Sequence, residues 1–320
     1  MITISDKTEV LIEALPYITK YEGKIFVIKY GGSAMVDQEL EETFAQDVTL
    51  LKKVGVKVVI VHGGGKEVTE IAGKLGIASR FIDGQRYTDE AMMDVVQMVL
   101  AGKTNKDIVA RINKSAVAGK TAMADRHDGA PARPDRSGEA VGICGIDANL
   151  LKVEKSSNGD LGLVGEITPH GGVNTHFLNL LLDNNIMPVI APIGVNENGQ
   201  AYNINADVAA AHIAAALGAE KLVYLSDVEG VIANGSLIHS MGQSEAHRLI
   251  EQGIIINGMI PKIRSAFHAI DAGVNKVHLI DGRVKHSILL EIFTDAGVGT
   301  ELIGAINNKV SHHHSQEVLS

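Results

Sequence analysis

Short apolar runs rich in β-branched residues recur along this chain, each followed by a stretch with helical spacing, and that alternation restricts the fold more than any other feature. Strands are predicted at Ile25–Lys29, Val56–His62, Met187–Pro192, Lys221–Leu225 and Lys276–Asp281. Helices are predicted at Gln38–Val54, Lys66–Leu75, Glu90–Ala101, Ala206–Gly218, Ser244–Gln252 and Lys262–Asp271. Continuously apolar strands need cover on both faces, and strands joined through helices run parallel. The expected class is therefore α/β, with a mainly parallel sheet between helical layers. A length of 320 residues suits two lobes or one large α/β unit.

Composition narrows the function. A net charge of −9, no tryptophan and 4% aromatics argue against a nucleic-acid partner, which needs positive charge and stacking platforms. The single cysteine, Cys144, rules out an internal disulfide and a cysteine metal cluster and reads as a small buried apolar residue. No basic segment followed by an apolar core opens the chain, and the longest helical apolar stretch, Val208–Leu217, is too short to span a bilayer. The expectation is a soluble, cytoplasmic protein with no membrane partner.

Three segments stand outside the alternation. Asp6–Lys20 spaces Val10, Leu11, Ala14, Leu15 and Ile18 as a helix before the first strand, with Pro16 inside it. That apolar face packs on its own lobe or on a neighbouring subunit. Residues 120–139 read as a polar surface loop, and the tail after Gly304, with His312, His313 and His314, as a flexible terminus.

The chemistry concentrates in glycine and lysine motifs. KYGGS (Lys29–Ser33) and HGGGK (His62–Lys66) each leave an apolar run. Glycines there let backbone N–H groups reach a ligand with no Cβ in the way, and a following helix adds positive charge at its N-terminus. NINAD (Asn203–Asp207) and GMIPK (Gly258–Lys262) supply an acid and a second lysine. Two anion cradles and two distant lysines suggest that two anionic ligands are held together, hence phosphoryl transfer. No GxxxxGK[ST] loop is present, and the glycines lack the G-x-G-x-x-G spacing of a dinucleotide site.

Taken singly, each residue keeps a plainer reading. Lys29 and Lys262 are phosphate ligands or solvated lysines, and Asp207 is an organiser of both or an ordinary first-turn acid. Arg86, in GQRYTD, is a bidentate carboxylate clamp or a surface arginine. His62 reads as a hydrogen-bonded structural residue. SDVEGV (Ser226–Val231) closes a strand where an α/β sheet would hold a nucleotide.

In this order, IKYGGS, VIVHGGGK, GQRYTD, NINAD, SDVEGV, GMIPK, HLIDGR and LLEIFTDAGVGT resemble the amino acid kinase family, from about Asp6 to Gly304. Within it, GQRYTD, NINAD and GMIPK are similar to the branch that phosphorylates N-acetyl-L-glutamate in arginine biosynthesis. The resemblance implies a three-layer αβα sandwich of the carbamate kinase-like fold with an eight-stranded sheet. It divides the chain into an oligomerisation helix (1–22), a lobe binding acetylglutamate (23–195), a lobe binding ATP (196–304) and a tail (305–320). It casts Lys29 and Lys262 as transition-state-stabilising lysines and Asp207 as the acid that orients them. Gly64, Gly65, Arg86, Asn203 and Asn205 fall on acetylglutamate contacts. Gly31 and Gly32 approach the transferred phosphoryl group, while Ser226, Asp227 and Gly230 fall in the nucleotide segment. Mg2+ would be held by the nucleotide phosphates, with no protein metal site.

The N-terminal helix is similar to the extension that interlaces dimers into a hexamer, a trimer of dimers, in arginine-inhibited members. Lys221, His278, Glu291 and Gly297 match that branch's L-arginine site, which implies feedback inhibition. Binding of a nitrogen-signalling PII protein stays open. The chain departs from the family pattern at CGIDA (Cys144–Ala148), where an SGKDG-like turn is usual, and in the insertion at 120–139. The remaining alternatives are a related kinase for another carboxylate and a non-catalytic arginine-sensing module.

Overall fold

A computed structural model describes residues 4–35, 37–82, 84–121, 140–256, 258–294 and 297–304. Except for Lys120 and Thr121, which end a helix, the loop predicted at 120–139 lies outside the described residues, as does the tail over 305–320.

Eight strands form the central sheet: β1 (Ile25–Tyr30), β2 (Lys57–His62), β3 (Ala140–Cys144), β4 (Met187–Ala191), β5 (Lys221–Ser226), β6 (Ser240–Gly242), β7 (Lys276–Asp281) and β8 (Thr300–Ile303). Their order across the sheet is β6-β8-β7-β5-β1-β2-β4-β3. All neighbours are parallel except β7 and β8. The helices are α1 (Ile4–Tyr21), α2 (Gln38–Lys53), α3 (Gly65–Lys74), α4 (Glu90–Val96), α5 (Asn105–Thr121), α6 (Thr175–Asp183), α7 (Ala206–Ala216), α8 (Gln243–Glu251), α9 (Met259–Asp271) and α10 (Ser287–Phe293).

Alternate strand residues feed the two helical layers, as the period of two in a strand requires. Val27, Val59, Leu222 and Tyr224 pack with α6, α7, α8 and α9. Phe26, Ile28, Ile60 and Val223 pack with α2, α5 and α10. A third cluster joins α3 and α4 to Ile193 and Ala201 beyond the strand ends, over the region where the glycine turns emerge.

The predicted strands match to within one residue at an end; two helices need correction. The helix predicted at Glu90–Ala101 does not stop there: α4 passes through a π-helical stretch, Gln97–Thr104, directly into α5. The helix predicted from Lys262 begins at Met259, because Pro261 lies in the first turn, where its missing N–H takes no bond away. α1 runs through Pro16, and Leu15 on its predicted apolar face is 58% exposed, beside Ile12 at 64%. No described helix is long and apolar enough to cross a membrane.

The loop before α10 is tied to α2 by charge. Lys285 pairs with Glu39, and His286 Nδ1 meets Asp47 Oδ1 at 2.6 Å, with Asp47 only 2% exposed. Burial pushes the Asp47 carboxyl up from 3.8 to about 6, against the pull of His286. The folded chain thus holds this proton more tightly than the unfolded chain. Its stabilising share is complete below the unfolded value near 4 and is lost as pH rises through about 6. Asp47→Asn, which cannot ionise, should therefore lose roughly 2 kcal/mol less than the parent between pH 4 and pH 7.5. Urea unfolding at the two pH values checks this; parallel losses in both proteins would refute it.

Candidate functional site

The site is assembled where β1, β2 and β5 end. Lys29, in β1, lies in register with Val61 of β2 and Tyr224 of β5. Its side chain folds back over Gly31, where an added Cβ would lie 2.8 Å from Nζ. The Gly63 N–H donates to the Tyr30 carbonyl at 2.8 Å, so the two glycine turns run side by side.

Asp207 stands in the first turn of α7. Asn205 caps that helix, its side-chain oxygen accepting from the Asp207 and Val208 N–H groups at 2.8 and 3.3 Å. The Asp207 carboxylate bridges both lysines, Lys29 Nζ at 3.0 Å from Oδ1 and Lys262 Nζ at 2.7 Å from Oδ2. The Oδ2 contact is a well-directed hydrogen bond, whereas Oδ1 meets Lys29 as an ion pair with no directed donor. Burial works to raise the Asp207 carboxyl, but Lys29 and Lys262 overcome it and hold the group well below the carboxylate range. Lys262 is pulled down by burial, and Asp207 opposes that pull. Two ammonium groups about 4 Å apart would repel by about 4 kcal/mol at an effective dielectric of 20; the shared carboxylate offsets this and leaves one net positive charge. That suits a transferring phosphoryl group.

Beside the triad lies a cavity of about 210 Å³, whose lining includes Gly64, Gly65, Arg86, Asn203 and Asn205. Gly64 adopts φ +145°, and a Cβ there would sit 2.5 Å from Leu100 Cδ2. Arg86 ends a short hairpin, Phe81–Ile82 with Gln85–Arg86. It donates from Nη2 to the Gly65 carbonyl and Thr69 Oγ1, and from Nη1 to Ser79 Oγ, each at 2.8 Å. Its guanidinium also lies 4.8 Å from the Phe81 ring centroid, so its plane is fixed before any ligand arrives. Asn203 Nδ2 donates to the buried Thr88 hydroxyl at 3.3 Å. A second cavity of about 570 Å³ shares Gly64, Gly65 and Arg86 and reaches Gly32. All five residues predicted to touch the acceptor thus line one cavity, and the second cavity, which shares three of them, reaches the first glycine turn.

On the other side, Ser226 ends β5, buried, and a Cβ on Gly32 would lie 3.9 Å from the Asp227 N–H. Gly230 packs on β8, where a Cβ would strike Thr300 Oγ1 at 2.5 Å. Among the described residues no group of three or more His, Cys, Asp or Glu side chains is placed to hold a metal ion.

Lys221, His278, Glu291 and Gly297 meet elsewhere, in a cavity of about 300 Å³ that α1 closes with Tyr17 and Tyr21. His278 Nδ1 lies 2.6 Å from Glu291 Oε1, and its Nε2 lies 2.7 Å from Lys221 Nζ. Glu291 Oε2 accepts from the Val298 and Gly299 N–H groups at 2.6 and 3.1 Å. Burial pulls Lys221 down to about 8, with Glu301 opposing it.

Of the supports, sequence reasoning read His62 as structural and missed Asn105. His62 is fully buried, its Nδ1 2.7 Å from the Gly63 carbonyl and its Nε2 3.1 Å from Asn105 Nδ2. Burial pushes it down to about 4, so it is neutral at pH 7 and holds the glycine turn, as a structural residue does. Asn105 carried no local signal, because its partners His62 and Val189 lie far along the chain, whereas Thr88 lies inside GQRYTD and its hydroxyl also donates to the Arg86 carbonyl at 3.0 Å. Cys144 is buried, and burial raises its thiol, in keeping with an inert role.

The chain is similar to several known proteins. Residues 24–281 match the model of the amino acid kinase family. The chain is 51% identical over 300 residues to an acetylglutamate kinase of Chlorobaculum tepidum, covering 93% of this chain and 97% of that one. It is 52% identical over 301 residues to an acetylglutamate kinase of Chlorobium phaeobacteroides, covering 94% and 91%. Among solved structures, it is similar to the N-acetylglutamate synthase of Neisseria gonorrhoeae complexed with coenzyme A and N-acetyl-glutamate, with a TM-score of 0.76 and 26% identity. That match covers 92% of this chain, which spans 63% of the synthase's length. The synthase is also known complexed with coenzyme A and L-arginine, at TM-score 0.73 and 26% identity, covering 92% of this chain and 65% of that one. With the family model matching more than half its length, this chain belongs to the amino acid kinase family.

Proposed function

We propose that this chain catalyses ATP-dependent phosphorylation of the γ-carboxylate of N-acetyl-L-glutamate, a step of arginine biosynthesis, in the cytoplasm. The observation that carries the reading is the Asp207 carboxylate bridging Lys29 and Lys262 beside the cavity of Gly64, Arg86 and Asn203. Arg86 would grip the α-carboxylate, with Gly64, Gly65, Asn203 and Asn205 completing the acceptor contacts. Residues 23–195 would then form the acceptor lobe and residues 196–304 the ATP lobe. Gly31 and Gly32 would offer backbone N–H groups to the transferred phosphoryl, and Ser226, Asp227 and Gly230 would shape the nucleotide segment. Magnesium, held by the nucleotide phosphates, would supply charge neutralisation there.

No general base is needed, because a carboxylate acceptor with an ordinary pKa near 4.3 is already ionised at pH 7. The oxygen attacks the γ-phosphorus in line, ADP leaves, and Lys29 and Lys262 neutralise the equatorial charge while Asp207 keeps both aimed. ADP release with N-acetyl-L-glutamate, L-glutamate and L-aspartate tests the reading. Turnover confined to the acetylated acid is expected; turnover with a free amino acid would assign a different acceptor. No turnover by the folded protein would favour a non-catalytic arginine sensor.

Feedback inhibition by L-arginine is the proposed regulation, through the cavity of Lys221, His278, Glu291 and Gly297. Its support is the buried carboxylate of Glu291 facing α1, together with the synthase relative complexed with L-arginine. Glu291→Gln should raise the arginine concentration for half-inhibition by about tenfold or more while leaving uninhibited kcat within twofold, since charge-assisted bonds are about twice as strong as neutral ones. An unchanged inhibition curve would remove this site. The exposed Ile12 and Leu15 of α1 support contact between copies of the chain through that helix, and the proposed assembly is a hexamer built as a trimer of dimers, which light scattering would test.

A further inference from the structure

Tyr224 is a fully buried tyrosine whose hydroxyl has found partners on the two helices that bring charge to the triad. Its OH lies 3.1 Å from the backbone carbonyl of Asp207 in α7 and 2.9 Å from Ser265 Oγ in α9. Ser265 Oγ lies 3.0 Å from the same carbonyl. Ser265 stands three positions after Lys262, and residues so spaced share a helix face. A bond from Ser265 to α7 therefore fixes the rotation of α9 that points Lys262 at Asp207. The Tyr224 ring also lies under Lys262, its centroid 5.2 Å from Nζ, and the strand carrying Tyr224 pairs it in register with Lys29.

We propose that Tyr224 and Ser265 are positioning residues for phosphoryl transfer, a two-hydroxyl clasp on the Asp207 carbonyl that locks α7 to α9 and so sets the Lys262–Asp207 contact. The proposal rests on the reading of Lys29, Lys262 and Asp207 as the transfer site. Three oxygens within hydrogen-bond distance of one another share only two hydroxyl protons. One hydroxyl can donate to the other while the second donates to the carbonyl, or both can donate to the carbonyl. Either hydroxyl alone still serves the carbonyl; with both gone, nothing on β5 or α9 does. The clasp therefore fails steeply only when both are removed. Burial keeps the Tyr224 hydroxyl protonated throughout the working range, so it remains a donor.

The test compares Tyr224→Phe, Ser265→Ala and the double variant. Phenylalanine keeps the ring beneath Lys262, so only the hydroxyl is lost. Each single variant should lower kcat by about threefold, and the double variant by about thirtyfold or more, beyond the product of the singles, because coupled residues are not additive. KM for both substrates should stay within about twofold, as expected when the loss falls on the transition state. Ser265→Thr in the Tyr224→Phe background, which restores one hydroxyl, should recover the single-variant rate. A second readout needs no turnover: limited acylation of lysines followed by peptide mapping. Release from Asp207 should speed labelling of Lys262 several-fold in the double variant, with the exposed Lys152 as internal reference. Parent-like kcat and Lys262 labelling in the double variant would overturn the clasp. So would a fall in kcat matched by a raised KM and a lower Tm, which marks general loosening. If the parent itself does not turn over acetylglutamate, the functional reading fails, while Lys262 labelling still decides the clasp.

Discussion

Replacing Lys262 or Lys29 by alanine should lower kcat by about a thousandfold, within the range seen when one preorganised charge or donor is removed from a transition state. Both ammonium groups meet the single carboxylate of Asp207 and are partly or fully withdrawn from water, so neither is replaced by solvent at full strength. The two act as one unit, and the double variant should therefore lose little more than either single one. KM for N-acetyl-L-glutamate should change by less than about threefold, because the proposed acceptor contacts lie in the cavity of Gly64, Arg86 and Asn203. Folding should persist, since Asp207 keeps one cationic partner in each single variant. Single-turnover kinetics with thermal melts decide the matter, and near-parental rates in either variant would refute the account.

Gly64→Ala should be the most damaging change that adds only a methyl group. Its Cβ would sit 2.5 Å from Leu100 Cδ2, at a φ of +145° that L-residues rarely adopt. Overpacking and backbone strain at such a position each cost about 1–3 kcal/mol. The same methyl would narrow a cavity of about 210 Å³, and acetylglutamate KM should rise about tenfold or more. Gly65→Ala is the control: no atom lies within 4 Å of its added Cβ and no positive φ is needed. It should unfold at nearly the parental urea midpoint. Leu100→Ala should cost less in the Gly64→Ala background than in the parent, because there it also removes the clash. Equal midpoints for the two alanine variants would contradict this packing.

Much of the fold was legible because β1, β2, β4, β5 and β7 are buried on both faces and read as continuous apolar runs. β3 was not, and Gly142 shows why. A Cβ there would fall 1.9 Å from Asn105 Oδ1, so the strand gives up a strand-forming residue to admit a side chain from a helix 37 positions earlier. β6 and β8 are three and four residues long, too short for periodicity to register. The run through the π-helical stretch was misread because Gly102 resembles a helix stop, although the helical axis continues to Thr121. Among the site residues, Lys29, Asp207 and Lys262 could be grouped by chemistry, since each sits at the end or start of an element pointing to the same edge. The meeting of Lys221 with His278 and Glu291 came from resemblance alone. Tyr224, Ser265 and Asn105 went unnoticed because their roles depend on partners tens of residues away.

The position of β1 has a mechanical consequence. It is bonded along its length to β2 on one side and to β5 on the other, so the proposed acceptor and nucleotide sides would hang from one continuous slab. Prising them apart like a clam would mean tearing strand pairing at the very place where Lys29 is mounted. Opening that preserves this pairing would twist the slab or swing parts above it. The loops beyond β5 and β7 lie outside that pairing, whereas Arg86 is tied to Gly65, Thr69 and Ser79 and stays with the slab.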